Sequence, residues 1–147
     1  MKAVHFCIEE LVSKEILDEI GEERAWRLID PKIIYTLDHI RQRYGKKVTV
    51  NNWKWNSSPT AFKERCLRKP DTKTGSKWSD HKYGRAVDFD VEGMTAAEVR
   101  KDILANKDHE DFKYITILED GVSWVHIGVA NLANDADRIF VVYPDGK

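Results

Sequence analysis

Ser79-Asp80-His81-Lys82-Tyr83-Gly84-Arg85-Ala86-Val87-Asp88-Phe89-Asp90-Val91 reads as a polar loop running into a strand with one buried face. From Ala86 the residues alternate, with Val87, Phe89 and Val91 on one side and Ala86, Asp88 and Asp90 on the other. Asp88 therefore points away from the apolar side. A second alternating stretch, Trp124-Val125-His126-Ile127-Gly128-Val129, places His126 opposite Val125, Ile127 and Val129, on the face shared by Trp124 and Gly128. Two strands then offer one ligand each, and His81 arrives from the loop before the first. Gly84 lets the chain turn sharply after His81, while Ala86 and Gly128 leave room beside the ligands. Three ligands of the types His, Asp and His leave one of the four tetrahedral positions of a zinc ion open, which is the pattern of a catalytic site. His5, His39 and His109 have no partner at ligand spacing and are expected to be ordinary surface or core residues.

Around this centre the chain reads as helices first and a sheet afterwards. Ile8, Leu11, Val12, Ile16 and Ile20 fit one helical face, or two short helices divided near Ser13, with Gly21 as the stop. Pro31 suits the first turn of a second helix whose stripe is Ile33, Leu37, Ile40 and Tyr44, ended by Gly45; Asp38 and His39 fall off the stripe and are expected to be exposed. Lys47 to Asn51 alternates as a strand, and Trp53, Trp55 and Ser57-Ser58-Pro59 mark a long connection. Thr95-Ala96-Ala97-Glu98 is a capping box that opens a helix through Val99, Ile103 and Leu104. Tyr114 to Glu119, Val122 to Val129 and Arg138 to Tyr143 read as strands, followed by a polar tail. The predicted class is α+β, with helices packed on a mainly antiparallel sheet in a single domain spanning residues 1–147.

Composition excludes several function classes. A chain of 147 residues buries roughly two thirds of its unfolded surface and needs no staple. Its two cysteines, Cys7 and Cys66, lie in no nucleophile motif beside a histidine, so cysteine catalysis is not expected. The net charge of −1 gives no nucleic-acid footprint, and no stretch reaches the ~20 apolar residues of a membrane span. The segment from Lys63 to Lys77 is locally basic and is expected to be mostly a solvated loop. MKAVHFCIEELVSKE lacks the apolar core of a signal peptide, and the chain is expected to act as a monomer.

The stretches SDHKYGRAVDFD and SWVHIG resemble the Ser-x-His-x-x-Gly-x-Ala-x-Asp and Trp-x-His signatures of the zinc D-Ala-D-Ala carboxypeptidase and L-alanyl-D-glutamate peptidase family, matching at Ser79, His81, Gly84, Ala86 and Asp88. HFCIEELVSKEIL resembles the family's opening Phe-x-x-x-Glu-Leu segment, and Arg65-Cys66-Leu67-Arg68 resembles an Arg-Gly-Leu-Arg element of phage-type members. The chain departs at Cys66, where that element has glycine, and at Gly128, where many members carry Ser or Asp. The resemblance implies the fold shared with the hedgehog signalling domain and Zn2+ held by His81, Asp88 and His126. It also implies Arg68 as an anchor for a substrate carboxylate, which a guanidinium fork can hold with two hydrogen bonds.

A zinc hydrolase needs a base, and the candidates are Glu119 and Asp120. A two-residue Asp-Gly turn would leave Glu119 about 13 Å from His126 at ~3.3 Å per residue. A four-residue loop, Asp120 to Ser123, pairs Glu119 with Trp124 and brings it diagonally close to His126, with Asp120 in the turn as second choice. Trp78 and Trp124 flank the ligands in sequence and are candidate cleft walls. The expected activity is hydrolysis of an amide bond in peptidoglycan stem peptides, as a carboxypeptidase or an endolysin-type endopeptidase. Without an export signal of its own, the chain fits a phage or prophage lysin. The rival is a non-catalytic zinc-containing binding or phage structural module of the same fold.

Overall fold

A computed structural model describes residues 1–144; the expected polar tail lies largely outside them. Among the described residues are three α-helices, α1 (Lys14–Leu28), α2 (Pro31–Tyr44) and α3 (Ala96–Ala105). Five strands accompany them: β1 (Val48–Thr49), β2 (Ala86–Val91), β3 (Ile117–Glu119), β4 (Val125–Gly128) and β5 (Phe140–Val142). The strands form one mixed sheet in the order β1-β2-β4-β3-β5, antiparallel except where β3 runs parallel to β5. The class is α+β.

Local chemistry sets most helix ends. The Ser13 hydroxyl accepts from the Ile16 amide and opens α1 just after a short 3-10 turn (Ile8–Glu10), so the break near Ser13 is real. Gly21, at φ 78° and ψ 168°, interrupts the helical backbone where the sequence places a stop, and a second helical piece follows across the kink, burying Ala25 and Trp26, with Ile29 buried just beyond. Those three apolar residues supply the tertiary burial that holds the second piece. Asp30 caps α2 through the Lys32 amide, Pro31 follows it, and Gly45 closes the helix in the left-handed conformation. The Thr95 hydroxyl accepts from the Glu98 amide at 3.1 Å, and α3 begins where its capping box predicts.

The apolar faces of β2, β3 and β4 (Val87, Phe89, Leu118, Val125 and Ile127) join Ile33, Leu37 and Ile40 of α2 and Val99 and Ile103 of α3 in one continuous core. Asp38 is not exposed as expected. It is 7% accessible because its two oxygens accept the Val4 and His5 amides at 2.8 and 2.9 Å, pinning the N-terminal segment to α2. His39 is half-buried, with Nδ1 at 2.9 Å from Asp111. The expected strands beginning at Lys47, Tyr114 and Val122 are shorter than their sequence patterns, since pairing stops where turns divert the backbone.

The joint between α2 and α3 is ionic. Arg43 donates Nε and Nη2 to the two oxygens of Asp102 at 2.8 and 2.9 Å and Nη1 to Asp111, while the Tyr44 hydroxyl donates to Asp102 at 2.7 Å. Hydrogen bonding from Arg43 holds the Asp102 carboxyl below its ordinary value despite partial burial. A carboxyl depressed in the folded state stabilises the fold above its unfolded value, and that contribution disappears as pH falls through the folded value. The urea midpoint should therefore fall from about pH 4 downward, near the unfolded aspartate value of ~3.9. Asp102→Asn should lower the midpoint at neutral pH and flatten that acid limb.

Candidate metal centre

Register brings the site together. Asp88 of β2 pairs with His126 of β4, and His126 pairs in turn with Glu119 of β3. Directly paired residues project to the same face, so Asp88, His126 and Glu119 form one row across three adjacent strands. The alternate rows, Phe89 with Val125 and Val87 with Ile127 and Leu118, fill the core. Gly128 lies in a close approach, where a Cβ would stand 3.2 Å from the Ile117 Cβ and push it by a few tenths of an ångström.

His81 enters from a 3-10 turn (Asp80–Tyr83) that precedes β2. The Ser79 hydroxyl accepts from the His81 amide, and Gly84 closes the turn at φ 69°. Gly84 also packs against the end of α1, where a Cβ would lie 2.0 Å from the Leu28 carbonyl oxygen, and its own carbonyl accepts from the Asp30 amide at 2.9 Å. Gly84→Ala should therefore cost about 2–4 kcal/mol, combining roughly 1 kcal/mol of backbone strain with overpacking. Denaturant unfolding of the variant checks it.

The three expected ligands converge. One nitrogen or oxygen from each of His81, Asp88 and His126 lies within 4.8 Å of the others. His81 is 2% exposed and its Nδ1 sits 2.8 Å from the Cys66 carbonyl. A carbonyl only accepts, so Nδ1 carries the proton and Nε2 is free to ligate, 3.3 Å from Asp88 Oδ2. His126 turns Nδ1 to Asp88 Oδ1 at 2.6 Å, and the two imidazole rings meet edge to face at 5.1 Å. Burial pushes the Asp88 carboxyl up, but the hydrogen bond from His126 and the nearby His81 ring outweigh it and hold the group well below the usual carboxylate range. The site thus presents an ionised carboxylate between two imidazoles.

This donor set fits a tetrahedral metal ion. Bond lengths of ~2.0–2.1 Å to nitrogen and oxygen imply ligand atoms roughly 3.3 Å apart, as His81 and Asp88 already are. The His126–Asp88 contact is a hydrogen bond that has to open slightly for both groups to ligate. The Cys66 carbonyl fixes the ring of His81 from outside, the arrangement expected of a prepared ligand.

Arg68 also reaches the site, though only 11% of its side chain is exposed. Its Nε donates to the Glu64 carbonyl at 2.7 Å and its Nη2 lies 3.4 Å from Asp88 Oδ2, while Gly75 passes so close that a Cβ would stand 2.6 Å from Nη1. Burial pushes the guanidinium down from its ordinary value, partly offset by Asp88. It remains a cation.

The expected four-residue hairpin loop is replaced by a longer one. Six residues, 120–125, separate the paired Glu119 and His126, so Glu119 sits directly opposite the histidine rather than diagonally from it. The loop widens because the Asp120 amide turns to Val142 of β5 and Arg100 of α3 holds the Val122 and Trp124 carbonyls. Asp120 is engaged in the loop itself, with Oδ1 at 3.3 Å from Arg100 Nε and 2.7 Å from the Gly121 amide.

Three contributors escape sequence reasoning. The Cys66 carbonyl is a backbone group, and Arg100 lies on a helix with no local mark of its target. Arg65, in the same short element as Arg68, accepts the Asp88 amide on its carbonyl at 2.6 Å and pairs Nη1 with Asp90 at 2.8 Å. The Cys66 thiol is fully buried and pushed up to about 12 by that burial, so it carries no thiolate chemistry. Trp78 is 73% exposed and Trp124 37%, so each leaves an indole face accessible. No helix among the described residues is long and apolar enough to cross a membrane. No family model, curated protein or solved structure matches the chain.

Proposed function

We propose that the protein is a zinc metallopeptidase of the hedgehog/DD-peptidase fold that hydrolyses an amide bond in peptidoglycan stem peptides. The observation that carries this reading is the row Asp88–His126–Glu119, which sets a carboxylate beside a three-ligand centre that has a position to spare. A purely structural metal site is closed by four protein ligands and has no use for such a base. The loop and strand motifs that resemble the cell-wall peptidases supply the substrate class.

His81, Asp88 and His126 would hold the zinc, which when bound would supply Lewis-acid polarisation of the scissile carbonyl and a water of pKa lowered toward ~7. Glu119 accepts the proton of the attacking water and delivers it to the leaving amine. The Cys66 carbonyl keeps the His81 imidazole oriented. Arg68, with Nε already used by Glu64, offers its remaining N–H groups to a substrate carboxylate.

Purified protein incubated with peptidoglycan, with and without chelator, should release new amine and carboxyl ends identifiable by mass spectrometry only when metal is present. Tight binding of wall peptides without cleavage would establish the binding-module rival. Arg68→Ala should weaken turnover of stem peptides with a free carboxylate by about 1.5–3 kcal/mol, the range for hydrogen bonds to charged groups. Lys should restore little of it. An amidated peptide should lose equally with wild-type enzyme and lose nothing further with Arg68→Ala, because both changes remove one interaction. Additive losses would place Arg68 elsewhere.

A further inference from the structure

Arg100 stands on α3, outside the metal row, yet its guanidinium makes three contacts with the single loop that joins the strands of Glu119 and His126. Nη1 donates to the Val122 carbonyl at 3.1 Å and to the Trp124 carbonyl at 3.2 Å, and Nε lies 3.3 Å from Asp120 Oδ1. Only 11% of the side chain is exposed. A planar fork with fixed donors can hold three acceptors at once, which a lysine ammonium on a flexible stem does poorly.

The loop needs such a hold. The β3–β4 ladder has three residue pairs, Gly121 takes φ 81°, and an open cleft of about 390 Å³ lies between α3 and the loop, bordered by Asp90, Met94, Thr95, Val122 and Ser123. A one-residue slip of a strand turns its side chains to the opposite face. Here such a slip would carry Glu119 from the metal row into the core.

We propose that Arg100 is a positioning residue that locks β3 in register with β4 and thereby keeps Glu119 opposite His126. The claim about geometry stands alone, and its catalytic consequence rests on the peptidase reading above. A misplacement of about 1 Å caused by a change away from the chemistry can cost on the order of 100-fold, and Arg100→Ala should lose about 10–100-fold.

The test compares wild type, Arg100→Ala, Arg100→Lys, Glu119→Gln and the Arg100→Ala/Glu119→Gln double variant. Arg100→Ala should lower kcat about 10-fold or more with KM nearly unchanged, and Arg100→Lys should recover little. In the Glu119→Gln background the Arg100 change should have no further effect on kcat, since its route to the reaction has already been removed. Equal losses in both backgrounds, or full activity of Arg100→Ala, would overturn the assignment. Amide hydrogen exchange gives a readout independent of turnover: the Asp120 amide, held by the Val142 carbonyl, should exchange faster in Arg100→Ala while the β2 amides do not. If the wild-type protein cuts no wall peptide, the peptidase reading fails while the exchange experiment still decides the clamp. Unchanged exchange at Asp120 would sink the clamp itself.

Discussion

His81→Ala should yield a folded protein that no longer retains one zinc ion per chain. The histidine is almost wholly buried, its ring is oriented by the Cys66 carbonyl, and its free Nε2 faces Asp88. Removing it leaves Asp88 and His126 as the protein ligands. Loss of an outer partner alone weakens metal sites by ~10–100-fold, so loss of a direct ligand should exceed ~100-fold. The backbone around the position is held independently, because the His81 carbonyl accepts from the Arg68 amide and Gly84 closes the turn. Metal analysis after dialysis, read beside an unfolding curve, separates loss of metal from loss of fold. Undiminished zinc in the variant would show that this triad is not the metal site.

Glu119→Gln should keep the zinc and the fold but lose turnover by ~10²–10⁴-fold, because an amide cannot accept the proton that a carboxylate takes. The side chain keeps its shape and its place opposite His126, so stability should change little. Asp120→Asn should retain most activity, since Asp120 serves the contact with Arg100 and the turn at Gly121. Single-turnover hydrolysis of a stem peptide by each variant checks both expectations. An active Glu119→Gln beside a dead Asp120→Asn would move the base into the turn.

The shared face of the candidate ligands Asp88 and His126 was legible because strand alternation is a local property. Once Val87, Phe89 and Val91 define the apolar side of β2, Asp88 must face the other way, and the same logic fixes His126 against Val125 and Ile127. Helix ends were legible for the same reason: Pro31, Gly45 and the Thr95–Glu98 box act within a few residues, whereas the capping roles of Ser13 and Asp30 emerge only in the structure. Gly21 was legible as the break in α1, but the helical piece beyond it was not, because that piece is held by the tertiary burial of Trp26 with Ile29 just after it. Asp38 misled because its partners are amides more than thirty residues away.

The sequence by itself determined which residue types stand at the centre, which faces of β2 and β4 they occupy, and that Gly84 must turn the chain between His81 and Asp88. Tertiary structure alone decided that Asp88, His126 and Glu119 share one row, that Arg68 lies against Asp88, and that Asp120 pairs with Arg100. Periodicity in a chain reports the face on which a side chain sits, because that follows from backbone geometry over two residues. Register, loop width and the partners of long cationic side chains depend on groups brought together from α3, β5 and the 64–68 segment, and no window of local sequence contains them.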